Sequence, residues 1–216
     1  MKKDTFNTLN IVTTAMLSAF AVVLSATLHH FASRQIAIML SPMHFPVLLM
    51  GILCGPWLGL IGGLLAPVMS YLTSGSPAPD TLVPMIFELS MYGFLTGLLR
   101  WVFLKNSKTS RFASIFALIL AMVAGRILNA LVKGVFLASA GTYTYFMGVW
   151  VTFLNNFKST YGGIILQIVL IPLILFALQK SGILLKYLPD SPTVKKAVAS
   201  AVAEKTTEGE TEDGQS

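Results

Sequence analysis

The apolar residues of this chain come in long runs, not in the short alternation of a half-buried sheet. The runs cover about residues 9–28, 44–54, 57–73, 84–104, 112–138 and 160–179. About 20 helical residues cross the hydrocarbon core of a bilayer, fewer where the helix is short or shielded by protein. The pattern therefore predicts an all-α polytopic membrane protein with six transmembrane helices. The second run is short: it starts among Pro42 and Pro46 and is cut from the third by Gly55-Pro56. Lys2 and Lys3 precede the first run as in a signal peptide, but the run exceeds the roughly 7–15 apolar residues of one, so a retained helix is expected. The stretch 146–158 (FMGVWVTFLNNFK) is semi-apolar and too short to span. It is expected as a lid or re-entrant segment over the outer face.

Composition agrees with lipid as the solvent. Of the 216 residues, 55% are hydrophobic and 11% charged, against about 25% charged in soluble domains. The charge is unevenly placed. Residues 1–188 hold twelve Lys/Arg and three acids, Asp4, Asp80 and Glu88, whereas 189–216 hold six acids and three lysines. This divides the chain into a membrane domain, 1–188, and a disordered acidic cytoplasmic tail, 189–216. The basic body gives no reason to expect nucleic acid, because its cations cluster where loops meet one face of the bilayer. Lys2, Lys3, Lys105, Lys108, Arg111, Lys180 and Lys186 share that face, with Arg100 just inside it. The other three loops carry Arg34, Lys158 and Asp80. The positive-inside rule then puts both termini in the cytoplasm and the loops after helices one, three and five outside. A multi-pass protein of the cell membrane is expected.

Small residues recur at four-residue spacing. Ala15 and Ala19 do so on helix one, Gly93 and Gly97 on helix four, and Ala117, Ala121 and Gly125 on helix five. Such stripes let helices approach closely in lipid. They serve either internal packing or docking on a partner membrane protein, and helix one is the best placed for docking.

Ionisable groups inside spans cost several kcal/mol, roughly 2.5–3.5 on insertion scales, and mark functional sites by default. On helix five, Arg126, Asn129 and Lys133 fall within about 60° of arc and climb about 10 Å toward the outer loops. On helix four, Glu88 and Tyr92 lie one turn apart on one face, with Glu88 one turn below the expected outer end at Pro84. These groups can converge on a pocket that opens outward, where a guanidinium suits a carboxylate or phosphate. The alternatives are a Glu88–Arg126 ion pair that serves packing alone, and a Lys133 that snorkels to the interface. His44 begins helix two. Asn155 and Asn156 either cap the pocket from the lid or form a plain loop turn. The lone Cys54 and three scattered histidines give no metal spacing, and no cofactor is expected. There is no P-loop, so ATP hydrolysis by the usual means is not expected of this chain.

Several of these stretches resemble one family: Met43-His44-Phe45-Pro46-Val47-Leu48-Leu49-Met50-Gly51, Cys54-Gly55-Pro56-Trp57-Leu58-Gly59, Ala66-Pro67, and Pro84-Met-Ile-Phe-Glu88-Leu-Ser-Met-Tyr92-Gly93. Together they resemble the S components of energy-coupling factor (ECF) transporters over about residues 9–180. Ala15 and Ala19 are similar to that family's Ala-x-x-x-Ala docking motif. The resemblance implies six helices, cytoplasmic termini, and a site near the outer face roofed by the loops after helices one, three and five. It implies a subunit that captures a vitamin, then topples on a transmembrane coupling protein driven by two ATPases. The chain looks most like the branch that includes pantothenate carriers; niacin, pyridoxine, hydroxymethylpyrimidine and riboflavin are other candidates.

Two other classes compete with solute capture. An intramembrane enzyme would have Glu88 and His44 as its one candidate pair. A stand-alone secondary transporter is disfavoured by the lack of a visible inverted repeat and by the solitary Glu88.

Overall fold

The computed structural model describes residues 6–104 and 110–180, and every regular element within them is a helix. The elements are α1 (Thr8–Phe31), α2 (Arg34–Leu40), α3 (His44–Cys54), α4 (Pro56–Ser74), α5 (Pro79–Leu104), α6 (Ser110–Ser139) and α7 (Tyr145–Lys180). Six stretches are long and apolar enough to cross a membrane, with α2 and α3 jointly supplying the second. The 105–109 connection and the acidic tail lie outside the described residues.

The boundaries have local causes. α2 ends at Ser41 in the left-handed region (φ 44°), and the Ser41 carbonyl accepts from the His44 N–H as the chain re-enters helix. That bend breaks the second span into two pieces, which is why the apolar run looks too short. α3 and α4 join at Gly55, whose φ of 98° suits glycine. Pro56 follows at the first position of α4, where its missing N–H leaves nothing unpaired.

Two expectations are corrected. α5 starts at Pro79, so Pro84 lies inside the helix and Glu88 sits deeper than one turn from its end. The 146–158 stretch is not a lid over the outer face: it is the first half of α7, which bends at Thr160 (φ −117°, ψ 18°). It runs antiparallel to α6, with Val149 against Gly134 and Gly148 against Leu137. The physical reason lies in its pattern. Gly148 and Thr152 are buried, while Phe146, Met147, Trp150 and Leu154 are exposed. That is the periodicity of a helix with one lipid face, and a helix satisfies its own backbone in hydrocarbon.

α5 is central. It packs on α3, α4 and α6; α7 closes against α6 and α2, and α1 lies against α3 and α4. Glycines set the spacing of the α3–α4–α5 unit. A Cβ on Gly93 would run into the Gly59 carbonyl, one on Gly63 into the Leu89 carbonyl, and one on Gly51 into Thr96 and the Gly93 carbonyl. Met43, Val47, Leu48, Met50, Leu89, Leu118, Met122 and Ile171 form the apolar core. The α1–α2, α4–α5 and α6–α7 connections gather at one end of the bundle, the loop end, opposite the Gly55 turn.

Gly93→Ala is expected to destabilise the protein by about 1–3 kcal/mol, the usual cost of overpacking. Gly148→Ala should cost less, since its Cβ would meet the nearest atom, Leu137 Cβ, at 3.3 Å. Thermal unfolding in detergent checks both; equal melting temperatures would contradict the packing described.

Candidate binding site

Four helices bring polar side chains to one place inside the bundle. On α5, Glu88 and Tyr92 stand one turn apart, and the Tyr92 hydroxyl donates to Glu88 Oε1 at 2.6 Å. From α6, Asn129 Nδ2 donates to Glu88 Oε2 at 2.8 Å. From α7, Asn156 Nδ2 donates to Asn129 Oδ1 at 2.9 Å. Arg126, one turn from Asn129, donates from Nη1 to the Asn156 carbonyl at 2.8 Å and lies over the Phe157 ring, 5.1 Å from its centroid. From α3, His44 Nε2 stands 3.6 Å from Glu88 Oε1, with its ring 5.4 Å from that of Tyr92.

Space for this arrangement is built into α6. A side chain at Gly125 would strike the Tyr92 ring, so glycine there lets the phenol reach Glu88. The groups are deeply enclosed: Arg126 is 2% exposed and Tyr92 fully buried. Glu88 comes nine residues into α5 and Asn129 ten residues before the end of α6. Both are therefore about 13–15 Å from the loop end along their axes.

The network is incomplete in a particular way. Glu88 has both oxygens engaged, and Asn129 bridges to Asn156. Arg126 and Glu88 are not joined directly; two asparagines stand between them. Among the described residues, Arg126 Nε and His44 Nδ1 are buried without a hydrogen-bond partner, as are Ser90 Oγ and both amide atoms of Gln167. A buried unpaired polar atom costs about 1–3 kcal/mol. The cluster is thus a set of held acceptors and amides beside a guanidinium with capacity to spare.

The structure brings Arg126, Asn129, Glu88, Tyr92 and His44 together, as the helical spacing predicts. Two of the predicted residues fall elsewhere. Lys133 stands nearer the loop end, with Nζ 3.9 Å from Asp80 Oδ2. It is not a spare cation of the cluster, because the two further turns of α6 carry it toward the start of α5. Asn155 is exposed, and its neighbour Asn156 occupies the inward position; adjacent residues on a helix differ by about 100°, so one of the pair must turn away. Sequence reasoning missed Gln167. Its signal was a lone amide in the apolar run Ile164-Ile-Leu-Gln167-Ile-Val-Leu. Among the described residues, no three His, Cys, Asp or Glu side chains converge as metal ligands.

Comparison with known families adds the decisive observation. Residues 9–202 match the family described as ECF transporter, substrate-specific component. The chain belongs to that family. Neither a curated relative nor a solved structure matches it. As an S component it is the substrate-specific subunit of an ECF transporter, and the family implies an ECF module as partner and a small molecule as substrate. The six spans suit a multi-pass membrane subunit of this kind. On α1 of this S component, Ala15 and Ala19 are exposed, as are Val12, Met16, Phe20 and Val23.

Asn129→Leu should lower the stability of the ligand-free protein by about 1–3 kcal/mol, because Glu88 Oε2 and Asn156 Nδ2 lose their partner together. Tyr92→Phe, which removes one donor and keeps the packing, should cost less. Thermal melts of the two variants in detergent decide the order; the reverse order would mean that Asn129 does not bridge the helices.

Proposed function

We propose that this S component captures a small anionic vitamin, pantothenate being the best candidate, in the cluster around Arg126. The loop end faces outward and both termini face the cytoplasm. The solute's carboxylate meets the Arg126 guanidinium, with Asn129, Glu88, Tyr92 and His44 fixing its polar groups. One observation carries this reading: Arg126 is buried in a membrane protein, bound to a backbone carbonyl and an aromatic face, and among the described residues it makes no direct ion pair, the nearby Glu88 being held by Tyr92 and Asn129 instead. An internal ion pair would have answered the charge from within. A carboxylate arriving from solution can answer it instead, and a guanidinium binds one in a bidentate fashion.

The protein catalyses no reaction in this account. Glu88 and His44 are close, but Glu88 already accepts from Tyr92 and Asn129, so its oxygens serve structure and recognition. Delivery belongs to the partners: a transmembrane coupling protein on which the subunit topples, and two ATPases. The exposed face of α1 around Ala15 and Ala19 is where the coupling protein docks, because small residues allow close backbone approach there.

Binding and uptake, measured side by side, test this. Arg126→Gln should weaken pantothenate binding by the 2–5 kcal/mol typical of a lost buried charge partner, roughly 30-fold to several thousand-fold, with uptake lost as well. Ala15→Trp should leave binding intact and abolish uptake. Undiminished binding by the first variant removes Arg126 from the site; normal uptake by the second moves the docking face elsewhere.

A further inference from the structure

Gln167 is the largest polar anomaly outside the cluster. It is 1% exposed, and neither its amide nitrogen nor its amide oxygen has a hydrogen-bond partner among the described residues. Ile164 and Ile168, beside it on the helix, pack against the apolar core, and Ile171, one turn on, belongs to it. A primary amide has two donor hydrogens and an acceptor. Leaving all of them unmet in hydrocarbon is among the costlier choices a membrane helix can make, and leucine would fill the same space without that cost.

Position links this amide to the cluster. Asn156, Thr160, Gly163 and Gln167 follow one another at three- or four-residue spacing along α7 on either side of its bend at Thr160, and each is wholly or partly buried. Gly163 packs on the Leu40 carbonyl, just before the bend that presents His44. The Asn156 carbonyl that holds Arg126 also accepts from Thr160 Oγ1. From Thr160 to Gln167 the helix rises about 10 Å. That rise is the separation along α7 between the level of the carbonyl that holds Arg126 and the backbone of Gln167.

We propose that Gln167 is a specificity-determining residue of the solute site, and that the solute is a small carboxylate carrying an amide. The carboxylate meets Arg126, whose Nε has a donor to give. The solute's amide pairs with that of Gln167 through a single N–H to C=O hydrogen bond, because the two ends of a trans amide point in opposite directions, and this relieves part of the cost of the buried group. A carboxylate without an amide would leave Gln167 unmet, and a site with buried polar groups rejects analogues that leave them unpaired. This inference rests on the capture reading and adds to it the residue that reads the second half of the solute.

The test uses the full chain in detergent, wild type and Gln167→Leu, with pantothenate as the amide-bearing probe and nicotinate as the amide-free one. Melting temperature without ligand and affinity by calorimetry are the readouts. The ligand-free variant should melt higher than wild type, since an unpaired amide has been replaced by an apolar side chain. Its affinity for pantothenate should fall about tenfold or more, while any response to nicotinate is unchanged. A variant that melts lower or fails to fold overturns the proposal, because Gln167 would then be a structural element. Unchanged pantothenate affinity overturns it too, while leaving the capture reading standing if Arg126→Gln still loses binding. A wild-type chain that neither probe stabilises overturns both.

Discussion

Hydrocarbon offers no water, so every polar group carried into it must find its partner in protein or in a ligand. That constraint organises this molecule. The backbone meets it by making every regular element among the described residues a helix. Glu88 meets it with three neighbours drawn from three helices: Tyr92 on its own helix, Asn129 on α6 and His44 on α3. The amide of Asn156 then ties α7 to the same centre. Because each partner comes from a different span, the carboxylate fixes the register of the bundle as well as its own solvation. Arg126 Nε is among the buried atoms left without a partner, and that asymmetry is what supports the proposal that the cluster receives solute.

Close packing elsewhere makes such a cluster affordable. The backbones of α3, α4 and α5 meet through Gly51, Gly59, Gly63 and Gly93, which holds α5 firmly enough to present Glu88 and Tyr92 at a defined depth. Gly125 on α6 plays the matching part by admitting the Tyr92 ring. α1 differs: it lies against α3 and α4, buries only Thr14, Ala21 and Ser25, and keeps an apolar face with Ala15 and Ala19 turned outward. One unit sets geometry and another leaves an apolar face exposed, in keeping with the proposed division between solute capture and docking.

Much of this was legible in the sequence, for physical reasons. Long apolar runs can hardly be anything but spanning helices, and polar residues at four-residue spacing inside them must share a face, so Glu88 with Tyr92 and Arg126 with Asn129 followed from helical geometry alone. What the sequence hid were features that depend on where a helix begins. The start of α5 at Pro79 and the absorption of 146–158 into α7 turn on whether a proline or an asparagine pair ends a helix, and tertiary packing decided both. Lys133 shares the face of Arg126 but not its depth, and only the position of Asp80 shows where its charge goes. The Asn155–Asn156 choice rests on a single helical phase, and Gln167 passed unnoticed because one amide does not disturb an apolar run.

In the proposed site the buried guanidinium of Arg126 meets the anionic group of the transported solute. A structure of the protein with its solute bound decides this. A carboxylate is expected within hydrogen-bonding distance of Arg126, inside the bundle at the depth of Asn129 and Glu88. A solute held instead at the rim by Lys133 and Asp80, with Arg126 still joined only to the Asn156 carbonyl, would contradict it.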